Sequence, residues 1–224
     1  MASETGFPSL ANHFLVAMPE LQDPNFHQTV TLVCQHDENG ALGVVINRPM
    51  EHLMMNDVLG QLELDITNDQ PMTHAPVYVG GPVHNELGLV LHKGLGEWQS
   101  TIPVGEMMGL TSSRDVLESI AIGSGPENAL LSLGYAGWGA GQLESEIHQN
   151  SWLTVEADPV VVFETPPHER WHKSLQTMGL DLSRLASGAG HAGAPPRWDL
   201  ILVPNASVLR PDKILRVQRK ASQQ

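Results

Sequence analysis

Apolar residues in this chain fall in short runs cut by glycine, proline and small polar clusters, the pattern of brief strands and helices and not of long amphipathic helices. Residues 13–18 read as a strand stopped by Pro19. Over residues 27–48, QTVTLVCQH is rich in β-branched residues, DENG supplies turn chemistry, and ALGVVINRP resumes the β pattern until Pro49; together these predict a hairpin. Val58, Leu59 and Leu62 recur at helical spacing behind an Asn or Asp cap, predicting a short helix over 56–64 that Gly60 weakens. Residues 67–76 read as a loop, and VYVGGPV, GLVLHK and 99–102 as strands bounded by Gly or Pro. Over 112–122, Ser112 and Asp115 have capping-box spacing and Val116, Leu117 and Ile120 give one apolar side, so a helix is expected. Residues 129–135 predict a buried strand, 142–149 a helix, 152–155 and 160–163 two further strands, and Thr165–Pro166 the start of a helix running to Gly179. No regular βαβ rhythm appears, so the expected class is α/β of an irregular, α+β-like kind.

Composition adds a body, a charge and a compartment. A chain of 224 residues with 41% hydrophobic and 17% charged residues suits one domain with a real core. Residues 1–192 hold 6 basic and 23 acidic side chains, a net of −17, whereas 193–224 hold 6 basic and 2 acidic, a net of +4. The shift falls at GAGHAGAPP, a linker by its chemistry, so 1–192 is read as a single globular domain and 193–224 as a basic C-terminal extension. Within it, WDLILVP could add an edge strand and ILRVQRK a brief basic helix. The negative field of the body argues against direct DNA binding. A single cysteine allows no internal disulfide. The first residues lack a basic region and a long apolar run, and no stretch approaches the ~20 apolar residues of a membrane span, so a cytoplasmic protein without a membrane role is expected.

Several constellations could carry chemistry. His168-Glu169-Arg170-Trp171-His172 matches H-E-x-x-H, but Pro166 and Pro167 put His168 in the first turn and no third ligand follows at a suitable spacing, so no metal is expected. The run from Gly134 to Gly141 lacks the phosphate-loop spacing, and Glu144 and Glu146 open the next helix with repelling charge, so tight backbone packing is preferred. Gly80-Gly81-Pro82 reads as a bend after a strand. Cys34 and His36 fall on one strand face by simple alternation, which allows a thiol–imidazole pair. For Arg48, Arg114 and Arg170, in a body so poor in cations, a carboxylate partner is expected.

Taken together, HFLVAMPELQDPNFHQTVTLVCQHDENGALGVVINRP, VYVGGPV, GLVLH, TSSRDVLE, LGYAGWGAGQLESEI, Asn150-Ser151-Trp152-Leu153 and GHA at 190–192 closely resemble the bacterial AlgH/YqgE family, in order over residues 11–192. The resemblance implies a bent, branching sheet that forms a pseudo-barrel flanked by short helices, in small cytosolic proteins of which some carry a transcriptional-regulator label. The family shares Arg170-Trp171 but not the flanking histidines, and its members usually end near GHA, which leaves the basic extension outside the resemblance.

The expectation is therefore a non-catalytic binding or regulatory protein with an indirect effect on transcription and no cofactor. It would meet a protein or small ligand through Asn47, Arg48, Gly80, Gly81, Ser112, Ser113, Arg114, Asp115 and Trp138. The alternative is a thiol-based enzyme or redox sensor using Cys34 and His36.

Overall fold

The computed structural model describes residues 8–67 and 70–179. The domain boundary at 192 and the two elements expected after it lie outside the described residues. Among the described residues ten strands form one curled sheet: β1 (His13–Ala17), β2 (Val30–Asp37), β3 (Gly40–Val45), β4 (Pro49–Met54), β5 (Pro76–Val79), β6 (Val83–Lys93), β7 (Thr101–Val104), β8 (Met108–Thr111), β9 (Ala129–Gly139) and β10 (Trp152–Glu156). The main path runs β10-β1-β2-β3-β9-β6-β8-β7. Its pairings are antiparallel except β5 on β9, which is parallel.

The sheet branches along β9. Its C-terminal half pairs with β3, from Gly40↔Gly139 to Gly43↔Ala136, while Ser132 and Leu133 pair with Tyr78 and Val79 of β5, which in turn carries β4. The opposite side of β9 holds β6. Two strands thus share one edge of β9, and the chain must fork where β3 leaves and β5 enters.

Three apolar clusters follow from this curl. Phe14, Leu32, Val44, Leu89, Leu91 and Met108 fill its inside, closed by α4 (Pro159–Phe163) and α5 (Arg170–Thr177) through Val161, Val162, Trp171 and Leu175. On the outer face of β5, β6 and β9, α1 (Met55–Gln61) and α2 (Asp115–Ala121) bury Met55, Val58, Leu59, Val116, Leu117 and Ile120. Beneath α3 (Gln142–His148), Leu143 packs with Leu15, Val33, Trp138 and Trp152. Helices of five to eight residues cannot persist alone in water, so burial of one face holds each in place.

Five features differ from expectation. Residues 160–163 are helix and not strand, because Asp158 accepts the Val160 N–H (2.9 Å) and Pro159 opens the turn, overriding the β-branched run. Pro49 begins β4 instead of ending the β pattern, and the short β8 was not expected at all. The Ser112–Asp115 capping box does not form, since the helix starts later with Arg114 at the cap position and no side-chain cap bond. The last helix begins at Arg170, after a turn over 166–169, and not at Pro166.

Candidate functional site

The segment 46–48 lies at the fork, and its two polar side chains bond neighbouring backbone. Asn47 Oδ1 accepts the Val30 N–H (2.8 Å) and its Nδ2 donates to the Gln28 carbonyl (2.9 Å). Arg48 donates from Nη1 to the Pro24 carbonyl and from Nη2 to the His27 carbonyl, both at 2.8 Å, and so clamps the β1–β2 connection. Burial pulls the basicity of Arg48 down, and Asp23 nearby opposes this. From the inside, the buried Arg170 donates to the Ile46 and Thr165 carbonyls and lies over Tyr78, 5.3 Å from the ring centroid. Desolvation likewise lowers its pKa, with Tyr78 opposing. Among the described residues neither Arg48 nor Arg170 has a carboxylate within ion-pair distance, Asp23 acting on Arg48 only from further off; backbone carbonyls hold both guanidinium groups.

Gly80 and Gly81 complete the fork. The Val45 N–H bonds the Gly80 carbonyl (2.8 Å) and the Gly80 N–H bonds that of Leu133 (2.9 Å). A Cβ on Gly80 would stand 2.2 Å from the Gly134 carbonyl oxygen. On Gly81, whose φ is +155°, it would meet Tyr135 backbone at 2.2 Å. Glycine is required here by the approach of two backbones. The structure therefore brings Asn47, Arg48, Gly80 and Gly81 together.

The second group sits elsewhere, where α2 meets the β6–β7 connection. Asp115 accepts the Gln99 N–H (2.9 Å), the Val116 N–H (3.1 Å) and the Ser113 hydroxyl, while Ser113 Oγ accepts the Ser100 N–H (3.2 Å). Trp98 Nε1 donates to Ser119 Oγ at 3.1 Å. Ser112 and Ser113 are buried, and these contacts hold the connection across the helix. Arg114 is exposed and has the acidic partner expected for it, Glu118 at 3.0 Å, with a further bond to the Leu62 carbonyl.

Trp138 is not part of a surface. It is buried, stacks near Phe26 (6.2 Å between centroids), and donates Nε1–H to Glu146 Oε2 at 2.9 Å. The same oxygen accepts the Trp152 indole N–H at 2.8 Å, and Oε1 accepts from Gln142 at 2.9 Å. Glu146 is itself buried, so this residue, read from the sequence only as repelling charge at a helix start, is an internal anchor for two tryptophans. Its place in an acidic helix start hid it; the i, i+4 pair with Gln142 was the available signal.

Cys34 and His36 are also apart, and a β-bulge is the reason. Val33 faces Gly43 and Gln35 faces Leu42, so Cys34 is an extra residue that breaks the alternation. Cys34 packs inside the curl, where burial pushes its thiol up to about 12. His36 pairs with Ala41 on the other face, beneath α3. Its Nδ1 accepts the Leu10 N–H (2.9 Å), which leaves Nε2–H to donate to Glu144 (3.0 Å). In the H-E-x-x-H stretch, His168 and His172 are exposed and Arg170 and Trp171 point inward, with Trp171 Nε1 on the Ala17 carbonyl (2.9 Å). Among the described residues no group of three or more His, Cys, Asp or Glu is placed to hold a metal.

A buried histidine went unnoticed in the sequence. His92 is fully enclosed between the Gly94 carbonyl at Nδ1 (3.0 Å) and Thr111 Oγ1 at Nε2 (2.8 Å), and burial lowers its pKa.

A mixed α/β half-barrel with a forked sheet, its arginines and buried carboxylate tied to its own backbone and indoles, is the class these features define. The chain belongs to the AlgH-like family, whose model matches residues 14–183. A UPF0301 protein of Methylococcus capsulatus is 52% identical over 191 residues, covering 85% of this chain and all of that one. One from Xanthomonas euvesicatoria is 51% identical, covering 82% and 96%. The solution structure of the AlgH protein from Pseudomonas aeruginosa superposes with a TM-score of 0.67 at 48% identity, over 86% of this chain and 99% of that one. Protein DIP2367 of Corynebacterium diphtheriae shares the fold at 17% identity and a TM-score of 0.61, over 77% and 88% of the two chains. Among the described residues no helix is long and apolar enough to cross a membrane.

Proposed function

We propose that this protein is a cytoplasmic binding protein without catalysis of its own, and that any effect on transcription is indirect. In this reading residues 1–192 form the binding unit and 193–224 an extension to it. The observation that carries it is the state of Arg48: a half-exposed guanidinium held in place by two carbonyls, so that it presents a fixed positive charge at the fork of an otherwise acidic body. A pre-ordered charge of this kind loses little conformational entropy on meeting an acidic group of a protein or small ligand. Asn47, Gly80 and Gly81 support the same surface by fixing the backbone around it. The direct grip on duplex DNA that a regulator label suggests is opposed by the net charge of −17 over 1–192.

Affinity capture from a bacterial lysate tests this with three proteins: wild type, Arg48→Gln and Arg114→Ala. Wild type and Arg114→Ala should retain the same partner and Arg48→Gln should lose it, with circular dichroism confirming that all three are folded. Equal retention by folded Arg48→Gln removes the fork as the binding surface. Salt-sensitive binding of duplex DNA by residues 1–192 overturns the indirect role.

A further inference from the structure

We propose that residues 198–203 of the basic extension add a strand to the open outer edge of β10. In the β1–β10 ladder the Met18 N–H bonds the Ser151 carbonyl (3.1 Å) and the Ala157 N–H bonds that of Asn12 (2.9 Å), with five unbroken pairs between. Antiparallel alternation then turns the peptide groups of Ser151, Leu153, Val155 and Ala157 toward β1, and those of Trp152, Thr154 and Glu156 away from it. β10 ends the sheet path, so among the described residues no strand receives these outward groups.

The two ends of the path differ in how they are guarded. At the other end the Ser112 N–H bonds the Ser100 carbonyl (3.1 Å), so in the β7–β8 ladder Thr101 and Pro103 face outward, and Pro103 has no N–H to offer a new strand. β10 has neither a proline nor a bulge. Unguarded edges of this kind are templates for pairing. Leu153 and Val155 are moreover only partly buried, at the rim of the core inside the curl, where one more strand would cover them.

Sequence, reach and charge commit the occupant. Leu200-Ile201-Leu202-Val203 is an apolar, β-favouring run set between Pro196 and Pro204, which limits it to about the length of β10. The last described helix, α5, packs beside β1, the neighbour of β10, through Trp171 on the Ala17 carbonyl. Eighteen residues, 180–197, join it to the proposed strand. They can span up to ~60 Å, more than enough for any path across a domain of this size. Arg197 stands at the head of this run, in an extension of net +4, and β10 runs toward the exposed acids Glu156 and Asp158.

Hydrogen exchange on the full chain and on a chain ended after Ala192 tests the pairing. The shortened form is a fair comparison, because the Pseudomonas aeruginosa AlgH protein folds within the 86% of this chain that it matches. In the full chain the Thr154 and Glu156 amides should exchange roughly tenfold or more slowly than in the shortened one, with β7 amides unchanged. Ile201→Pro in the full chain should reproduce the loss of protection, since proline cannot pair within a ladder. Equal exchange at Thr154 and Glu156 in both chains overturns the proposal. So does protection that grows with protein concentration, which would make a second copy the occupant.

Discussion

Arg170 lies over the ring of Tyr78, 5.3 Å from its centroid, and donates to the Ile46 and Thr165 carbonyls, so a buried cation is balanced by carbonyl dipoles and an aromatic face, with no ion-paired acid among the described residues. The planar guanidinium reaches two separate carbonyls from Nε and Nη1 while lying over the ring, a geometry that the compact point charge of an ammonium does not reproduce. Arg170→Lys should therefore lose about 2 kcal/mol of stability and Arg170→Met somewhat more, through the carbonyls left unpaired. Urea unfolding at pH 7 measures this. A Lys variant with an unchanged midpoint would show that the fork does not depend on this side chain.

Glu146 makes a second internal anchor, and its chemistry predicts an ordered series. Glu146→Gln keeps one oxygen for the two indoles, but its amide nitrogen then faces the Nε2 of Gln142, which cannot turn without giving up the bond that its Oε1 accepts from the Gly139 N–H (3.0 Å). The expected loss is about 1–2 kcal/mol, and Glu146→Leu, which leaves both indole N–H groups buried and unpaired, should lose more. Tryptophan emission and urea midpoints report the effect. If Leu is tolerated better than Gln, the carboxylate is not what orders Trp138 and Trp152.

Cys34 should behave as a core residue. Its thiol is pushed up to about 12 from an ordinary 9.0, so between those values the unfolded chain releases a proton that the folded chain keeps. The unfolded state then binds fewer protons and stability falls with rising pH, by at most about 1.4 kcal/mol per pH unit. The contribution is complete below pH 9 and shrinks above it. Cys34→Ala should lower the urea midpoint at pH 8 yet flatten its decline between pH 9 and 10.5. Native protein should also resist thiol reagents at pH 8; rapid modification while folded would return the thiol to the list of reactive groups.

Local chemistry made most elements readable in advance, because turns and caps declare themselves: DENG closes the β2–β3 hairpin, and Gly80-Gly81 bends the chain between β5 and β6. What escaped depended on distant partners. The bulge at Cys34 is set by the pairing of β2 with β3, and it alone moves His36 to the opposite face. Residues 160–163 look like a strand until the Asp158 cap is weighed. Trp138 looks like an exposed ligand contact until Glu146, eight residues on, is brought beneath it. The fork was half visible, since its glycines and Asn47-Arg48 stand out, whereas their adjacency arises from two strands sharing one edge of β9.

His92 supplies an acid-side counterpart to Cys34. A carbonyl can only accept, so the bond to Gly94 places a proton on Nδ1 and leaves Nε2 to accept from Thr111 in the neutral ring. Thr111 also lies 2.6 Å from Thr101 Oγ1, which stands 3.0 Å from the Trp98 carbonyl, so the hydroxyls have too few protons for every contact unless the ring gains one. Burial opposes that gain and lowers the pKa below the ordinary 6.5. Below pH 6.5 the unfolded chain therefore binds a proton that the folded chain refuses, and stability falls with pH until the folded ring also titrates. His92→Phe removes this dependence along with the two hydrogen bonds. Its urea midpoint should be lower than wild type at pH 7.5 and should fall less steeply from pH 7 to 5. An equally steep fall in the variant would assign the acid sensitivity to other groups, and a steeper one would show that the native ring holds the extra proton, which would complete the proton count across the two threonines.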